Sequence, residues 1–155
     1  MKHIEGLEEI FKEAKVVYMV TYGPKGEKHS RPMTNFNENP YETIWFPTYR
    51  KTRKVQDIKK NNKVLIIFPD TTHDRFYEIE GQAEFATEEE VKEKWRWWYL
   101  YWHPTMSALF WFDNLGTHTE RMIINIKPQT VKTLNKYQVE YVSAPYFSVK
   151  PKNRP

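Results

Sequence analysis

The chain of 155 residues contains no cysteine. Disulfides and thiolate metal sites are therefore excluded. It also lacks any apolar run of membrane-spanning length, and the N-terminal stretch MKHIEGLEEIFKEAK lacks the apolar centre of a signal peptide. The expectation is a cytoplasmic protein without membrane contact. The five histidines, His3, His29, His73, His103 and His118, show no metal-ligand spacing, so no metal centre is expected. His103, just before Pro104, reads instead as the end of a helix. Neither an internal repeat nor a domain linker interrupts the chain. One domain over residues 1–155 is expected, large enough for a real core. From about residue 143 the tail is polar, basic and proline-rich, and it is expected to be mobile.

What the chain does have is aromatic and apolar character. Apolar residues make up 39% and aromatics 16%, which places it among globular rather than disordered proteins. Its net charge of +4 is unevenly spread. Residues 50–63 carry Arg50, Lys51, Arg53, Lys54, Lys59, Lys60 and Lys63 against Asp57 alone, so this segment exceeds the charge of the whole chain. Nucleic-acid binders usually spread basic charge over a face. Concentration on one segment fits a small anion better, although Lys59, Lys60 and Lys63 read equally well as a solvated helix face.

Hydrophobic periodicity outlines the elements. Residues 5–14 form a short amphipathic helix through Leu7, Ile10 and Phe11. Strands are expected at 15–22, 29–36 and 43–48, followed by a short helix at 53–61. The run KVLIIFP (63–69) reads as a strand covered on both faces. Residues 75–86 alternate cleanly, with Tyr77, Ile79, Gly81, Ala83 and Phe85 on one face. Thr87 and three glutamates open a helix over 87–103. One or two strands close the fold at 121–134. The class is mainly β (α+β): a six-stranded antiparallel barrel or sandwich with short flanking helices.

Three features depart from a plain barrel. HSRPMTN (29–35) is polar on both faces and contains Pro32, which cannot donate to a sheet ladder. It is either a poor edge strand or the lining of a polar groove. Second, the strand ending Phe46-Pro47-Thr48 runs into a basic helix start with Thr52 as N-cap. Backbone N–H groups of a first helical turn lack internal partners, so with Arg53 and Lys54 they form a natural phosphate cradle. Third, residues 94–112 hold five of the six tryptophans. Val91, Trp95, Trp98, Tyr99 and Trp102 make one core stripe, while Trp97 and Tyr101 fall on an adjoining face. Together they widen the apolar arc beyond one packing surface, which points to burial against a second subunit or over a ligand, or to a small domain that wraps this helix deeply in its own core.

The segments VVYMVTYGPKGEKHSRPM, WFPTYRKTRKVQDIKKNNKVLIIF and RFYEIEGQAEFATEEEV, in this order, resemble the pyridoxamine-phosphate-oxidase-like FMN-binding split barrels, in particular the small general-stress-protein-type flavoproteins. They span about residues 16–91. The most specific is the middle one, in which a strand ending in an aromatic and a threonine leads to a Ser/Thr-Arg-Lys triplet at a helix start. The resemblance implies a six-stranded antiparallel split β-barrel that binds FMN as a homodimer, with the cofactor at the subunit boundary. It implies that Arg31, Pro32 and Met33 lie along the flavin, that Phe46 and Thr48 border its ring, and that Thr52, Arg53 and Lys54 hold its phosphate. Related barrels bind a deazaflavin or haem instead.

Departures from the family pattern bear on the reaction. Pyridoxamine phosphate oxidases carry a lysine where this chain has Phe36, and a glutamine where the match is Phe76. Their C-terminal Arg/His substrate segment has no counterpart here. The implied function is an FMN-binding oxidoreductase with a small-molecule electron donor or acceptor, not acting on pyridoxamine phosphate. No side chain stands out as catalytic acid or base. Two other classes stay open: a nucleic-acid-binding β-barrel, disfavoured because aromatics and basic charge do not interleave, and a cofactor-free structural or sensory dimer.

Overall fold

Six strands and three helices account for the described residues of this computed structural model, which are 1–102 and 120–138, with the side chains of 98–102 excepted. In chain order they are α1 (Leu7–Glu13), β1 (Val16–Tyr22), β2 (Lys28–Thr34), β3 (Ile44–Tyr49), α2 (Arg53–Lys60), β4 (Lys63–Asp70), β5 (Arg75–Phe85), α3 (Glu88–Trp102) and β6 (Arg121–Leu134). The strands form one antiparallel sheet in the order β2-β1-β4-β5-β6-β3, curled into a half-barrel. The expected mainly β fold is the observed one. The readings made for His103, His118 and the tail from about residue 143 lie outside the described residues. So do those for the side chains of Trp98, Tyr99, Tyr101 and Trp102.

The hydrophobic alternation of the strands places the core. Val17 and Met19 of β1, Phe46 of β3, Ile66 and Phe68 of β4, Tyr77 and Ile79 of β5 and Ile124 of β6 meet on the concave face. Leu7 and Phe11 of α1 close one end, with the Phe11 ring 5.1 Å from that of Phe68. Asn35 fixes this helix: its Nδ2 donates to the carbonyls of Phe11 and Ala14, both at 3.0 Å, and so satisfies acceptors at the helix C-terminus. α2 packs at the other end, where Ile58 joins the same core. Strand β4, paired on both sides by β1 and β5, is buried over most of its length, as its continuous apolar run requires.

The end strands of the sheet are β2 and β3, and each contains a proline, Pro32 and Pro47. Placement at an edge is what a residue without an N–H donor requires. Both readings of β2 therefore hold in part: it is an edge strand, and its inward row of Met33, Arg31 and His29 passes from apolar to charged.

The closing segment is a single strand of 14 residues. Its pairing with β5 shifts between Glu80 and Gly81, from Glu80↔Thr130 to Gly81↔Pro128, which leaves Gln129 as the extra residue of a bulge. The start of β6 pairs with β3, Ile124–Ile126 pair with both β3 and β5, and the rest of the strand pairs with β5 alone. Gly81 is needed here for space. A Cβ at this position would lie 2.6 Å from the Lys127 carbonyl oxygen and 2.8 Å from Ile126 Cγ2. Gly81→Ala is therefore expected to destabilise the fold by about 1–3 kcal/mol, the usual range for overpacking. A denaturant midpoint equal to wild type would show that the bulge slides to make room.

Helix α3 packs on the convex side of β3 and β6. Trp95 is buried against Ile123, and its Nε1 donates to the Met122 carbonyl at 3.0 Å. Trp97 lies outside this stripe and is 46% exposed.

Candidate functional site

The site begins with a row of side chains facing inward on β1 and β2. Met19 lies opposite Arg31, and Thr21 opposite His29. Towards α2 the row stops being apolar, because Asp57 of that helix enters it while only 5% exposed. Thr21 Oγ1 donates to Asp57 Oδ2 at 2.8 Å, and His29 Nδ1 lies 2.7 Å from the same oxygen. Arg31 Nη1 donates to Thr21 Oγ1 at 3.0 Å and to the Met19 carbonyl at 3.3 Å. From the start of α2, Arg53 Nη1 reaches His29 Nε2 at 3.4 Å. A guanidinium only donates, so Nε2 is the acceptor and Nδ1–H is the donor to Asp57.

Lys54 completes the group. Burial, with the charge of Arg31 nearby, holds its ammonium below the usual lysine range. Burial likewise lowers the pKa of Arg31, and Arg53 adds to this while Asp57 opposes it. Three cations thus stand close to one another, with Asp57 acting on Arg31 and the exposed Glu27 carboxylate 3.8 Å from His29 Nε2. The helix start adds to the imbalance. The first turn of α2 holds no acidic residue and no side chain caps it, so its free N–H groups and its dipole meet cations rather than an anion. In isolation these charges repel one another. A phosphate, with a charge of about −1.5 to −2 and several acceptor oxygens, supplies what the site lacks.

The residues proposed from sequence fall into two groups. Arg31, Arg53 and Lys54 converge as described. Thr52 is the N-cap residue, but its hydroxyl donates to the Tyr49 carbonyl at 2.9 Å instead of capping the helix. A phosphate would draw on Thr52 by turning that hydroxyl. Thr48 is buried and lies 3.4 Å from Thr52, oxygen to oxygen. The second group does not join them. Phe46 is fully buried in the core, the half-buried Met33 packs against that core, and the half-buried Pro32 occupies the opposite face of β2 from Arg31. Thr21, His29 and Asp57 were not singled out from the sequence. The one available signal was Asp57 itself, a lone acid in a basic helix.

A cleft of about 880 Å³ lies elsewhere, between α1, the β2–β3 connection, β3 and α3. Its wall is aromatic: the rings of Phe36 and Trp45 are 4.6 Å apart, and Trp97 is 5.6 Å from each. Its rim carries five glutamates against Lys12 and Lys94. Lys94 Nζ sits 4.9 Å from the centre of the Trp45 ring, a cation–π contact. The cleft begins where β2 ends, and Phe36 also approaches Phe46, at 6.4 Å.

Comparison with known proteins bears on the fold. General stress protein 26 from Bacillus anthracis str. Sterne is 21% identical, with a TM-score of 0.56 over 83% of this chain and 93% of that one. A Clostridium acetobutylicum protein related to general stress protein 26, of the pyridoxinephosphate oxidase family, is 18% identical, with a TM-score of 0.58 over 86% and 94%. An F420 reductase is 18% identical, with a TM-score of 0.60 over 84% and 98%. At these identities the likeness is one of fold. No curated protein matches the sequence. The pyridoxamine 5'-phosphate oxidase like family profile, however, matches residues 2–136, nearly the whole described chain, and the protein belongs to that family.

Proposed function

We propose that this protein is an FMN-binding flavoprotein with oxidoreductase activity, and that the joint between β3 and α2 holds the cofactor's phosphate. The observation that carries the reading is the gathering of Arg31, Arg53 and Lys54 beside one another at an uncapped helix start. FMN, when bound, supplies the hydride and electron chemistry at its ring. The chain supplies charge and orientation. The two arginines and Lys54 would bind the phosphate, and the first-turn N–H groups of α2 would add donors. A deazaflavin is the second reading, favoured by the likeness to an F420 reductase. The absorbance spectrum of the purified protein, with the mass of the released cofactor, decides between them. A colourless protein that ignores added FMN overturns both.

Pyridoxamine phosphate does not suit the neighbouring cleft. Phe36 offers no charge to a substrate phosphate, and the carboxylate rim repels one. An uncharged or cationic aromatic substrate suits that wall better.

The active form in this reading is a homodimer with the cofactor at the subunit boundary. Trp97, half exposed beside Trp45 and Phe36, marks the surface that a second copy would cover. Light scattering at micromolar concentration is expected to give a dimer, and Trp97→Asp is expected to shift it towards monomer with little change in melting temperature. A wild-type monomer with flavin bound would refute the assembly.

A further inference from the structure

Asp57 is the least expected charge in the site, because a buried carboxylate beside a phosphate opposes the ligand's charge. Desolvating it costs several kcal/mol unless partners compensate. Its partners are informative. One oxygen, Oδ2, accepts from Thr21 Oγ1 at 2.8 Å and from His29 Nδ1 at 2.7 Å. The Thr21 oxygen in turn accepts from Arg31 Nη1 at 3.0 Å, and the far nitrogen of His29 accepts from Arg53 Nη1 at 3.4 Å. Two chains of hydrogen bonds therefore leave one oxygen and end on two guanidiniums. One of these comes from β2 and the other from the start of α2.

We infer that Asp57 is the positioning residue of the phosphate cradle, aiming Arg31 through Thr21 and Arg53 through His29. The inference rests on the phosphate reading above and adds a specificity determinant to it. Without Asp57, the Thr21 hydroxyl loses the acceptor that its proton points to, and His29 Nδ1–H loses the acceptor that holds the ring, leaving only the long 3.4 Å contact with Arg53. With a proton on Nε2, His29 would face Arg53 donor to donor. The carboxylate also offsets one of the three cations, so that they can stand close together before an anion arrives. A mere tie between α2 and the sheet would use the same bonds. It would, however, affect every ligand alike, whereas a positioning role concerns only the phosphate.

The test compares FMN with riboflavin, which has the ring and no phosphate, by flavin fluorescence quenching on the full chain. Asp57→Ala is expected to weaken FMN at least about tenfold, the effect of about one hydrogen bond, and to leave riboflavin within about twofold. Asp57→Asn retains an oxygen able to accept both bonds and is expected to keep most of the discrimination. Should Asp57→Ala not fold, Thr21→Val and His29→Phe carry the test, each cutting one chain. Thr21→Val is expected to weaken FMN in the wild type but to have no further effect beside Arg31→Ala. His29→Phe should behave likewise beside Arg53→Ala. Full additivity in both cycles overturns the inference, as does Asp57→Asn binding FMN as weakly as Asp57→Ala, because charge rather than aim would then be what matters. Equal loss of FMN and riboflavin in Asp57→Ala makes it a structural tie and also overturns it. A wild type that binds FMN no better than riboflavin defeats the phosphate reading itself, a separate result.

Discussion

Lys54→Ala is expected to bind FMN about ten- to a hundredfold more weakly than the wild type, and the double change with Arg53→Ala more weakly still. A charge-assisted hydrogen bond contributes about 1.5–3 kcal/mol, which corresponds to that range in affinity. Lys54 should give the larger single effect, because it is the more buried of the two and its ammonium is held against the cost of desolvation. A ligand phosphate relieves that cost directly. Riboflavin should bind the wild type poorly and be almost indifferent to both changes. Lys59→Ala, in the last turn of α2 and exposed, is the control and should do little. Equal loss of riboflavin and FMN in Lys54→Ala would remove the phosphate from this joint. An effect of Lys59→Ala as large as that of Lys54→Ala would mean that the segment acts through diffuse charge, and a polyanion such as nucleic acid would then become the better ligand.

The second large effect is expected in the core. Phe46 is fully buried among Ile44, Phe36 and the β6 isoleucines, so Phe46→Ala should cost about 3–5 kcal/mol of stability. For a chain of this length that lowers the melting temperature by roughly 10–15 °C. The measurement is a thermal melt of protein stripped of flavin. Unchanged melting together with weakened flavin binding would place Phe46 against the cofactor ring and not in the core. The structure favours packing, since its ring has no exposed edge and any influence on a ligand passes through the placement of Thr48, two residues on.

The sequence disclosed those parts of the molecule that rest on local pattern. The alternation of β5 was readable because one face of that strand meets the core while Gln82 and Glu84 meet solvent. The edge position of β2 followed from Pro32, and the basic joint from charge density alone. The polar network was not readable in this way. Asp57 lies 28 residues from His29 and 36 from Thr21, and only the pairing of β1 with β2 under α2 brings them together. Read in isolation, Asp57 was a minor offset in a lysine-rich helix. Thr52 was readable as the N-cap residue from its type, but not the turn at Tyr49, whose carbonyl orients the hydroxyl away from the helix N–H groups. The bulge at Gln129 was hidden because it breaks the very period by which strands are recognised, so that one bent strand read as one or two. Period two places Phe46, which the likeness sets at a ring border, on the same inward face as Ile44 and Thr48.

The two prolines at the ends of the sheet bear on how copies of this chain can meet. An open strand edge is a template on which another chain can extend the sheet, and long flat edges invite aggregation. Pro32 and Pro47 each remove a donor that such an intruding strand would need. Neither end of the half-barrel is thus suited to growth by strand addition, whether with a second copy or by zipping β2 onto β3. Among the described residues β2 and β3 stay unpaired with each other, and contact between copies is diverted from backbone ladders to side-chain faces such as the side of α3 that bears Trp97.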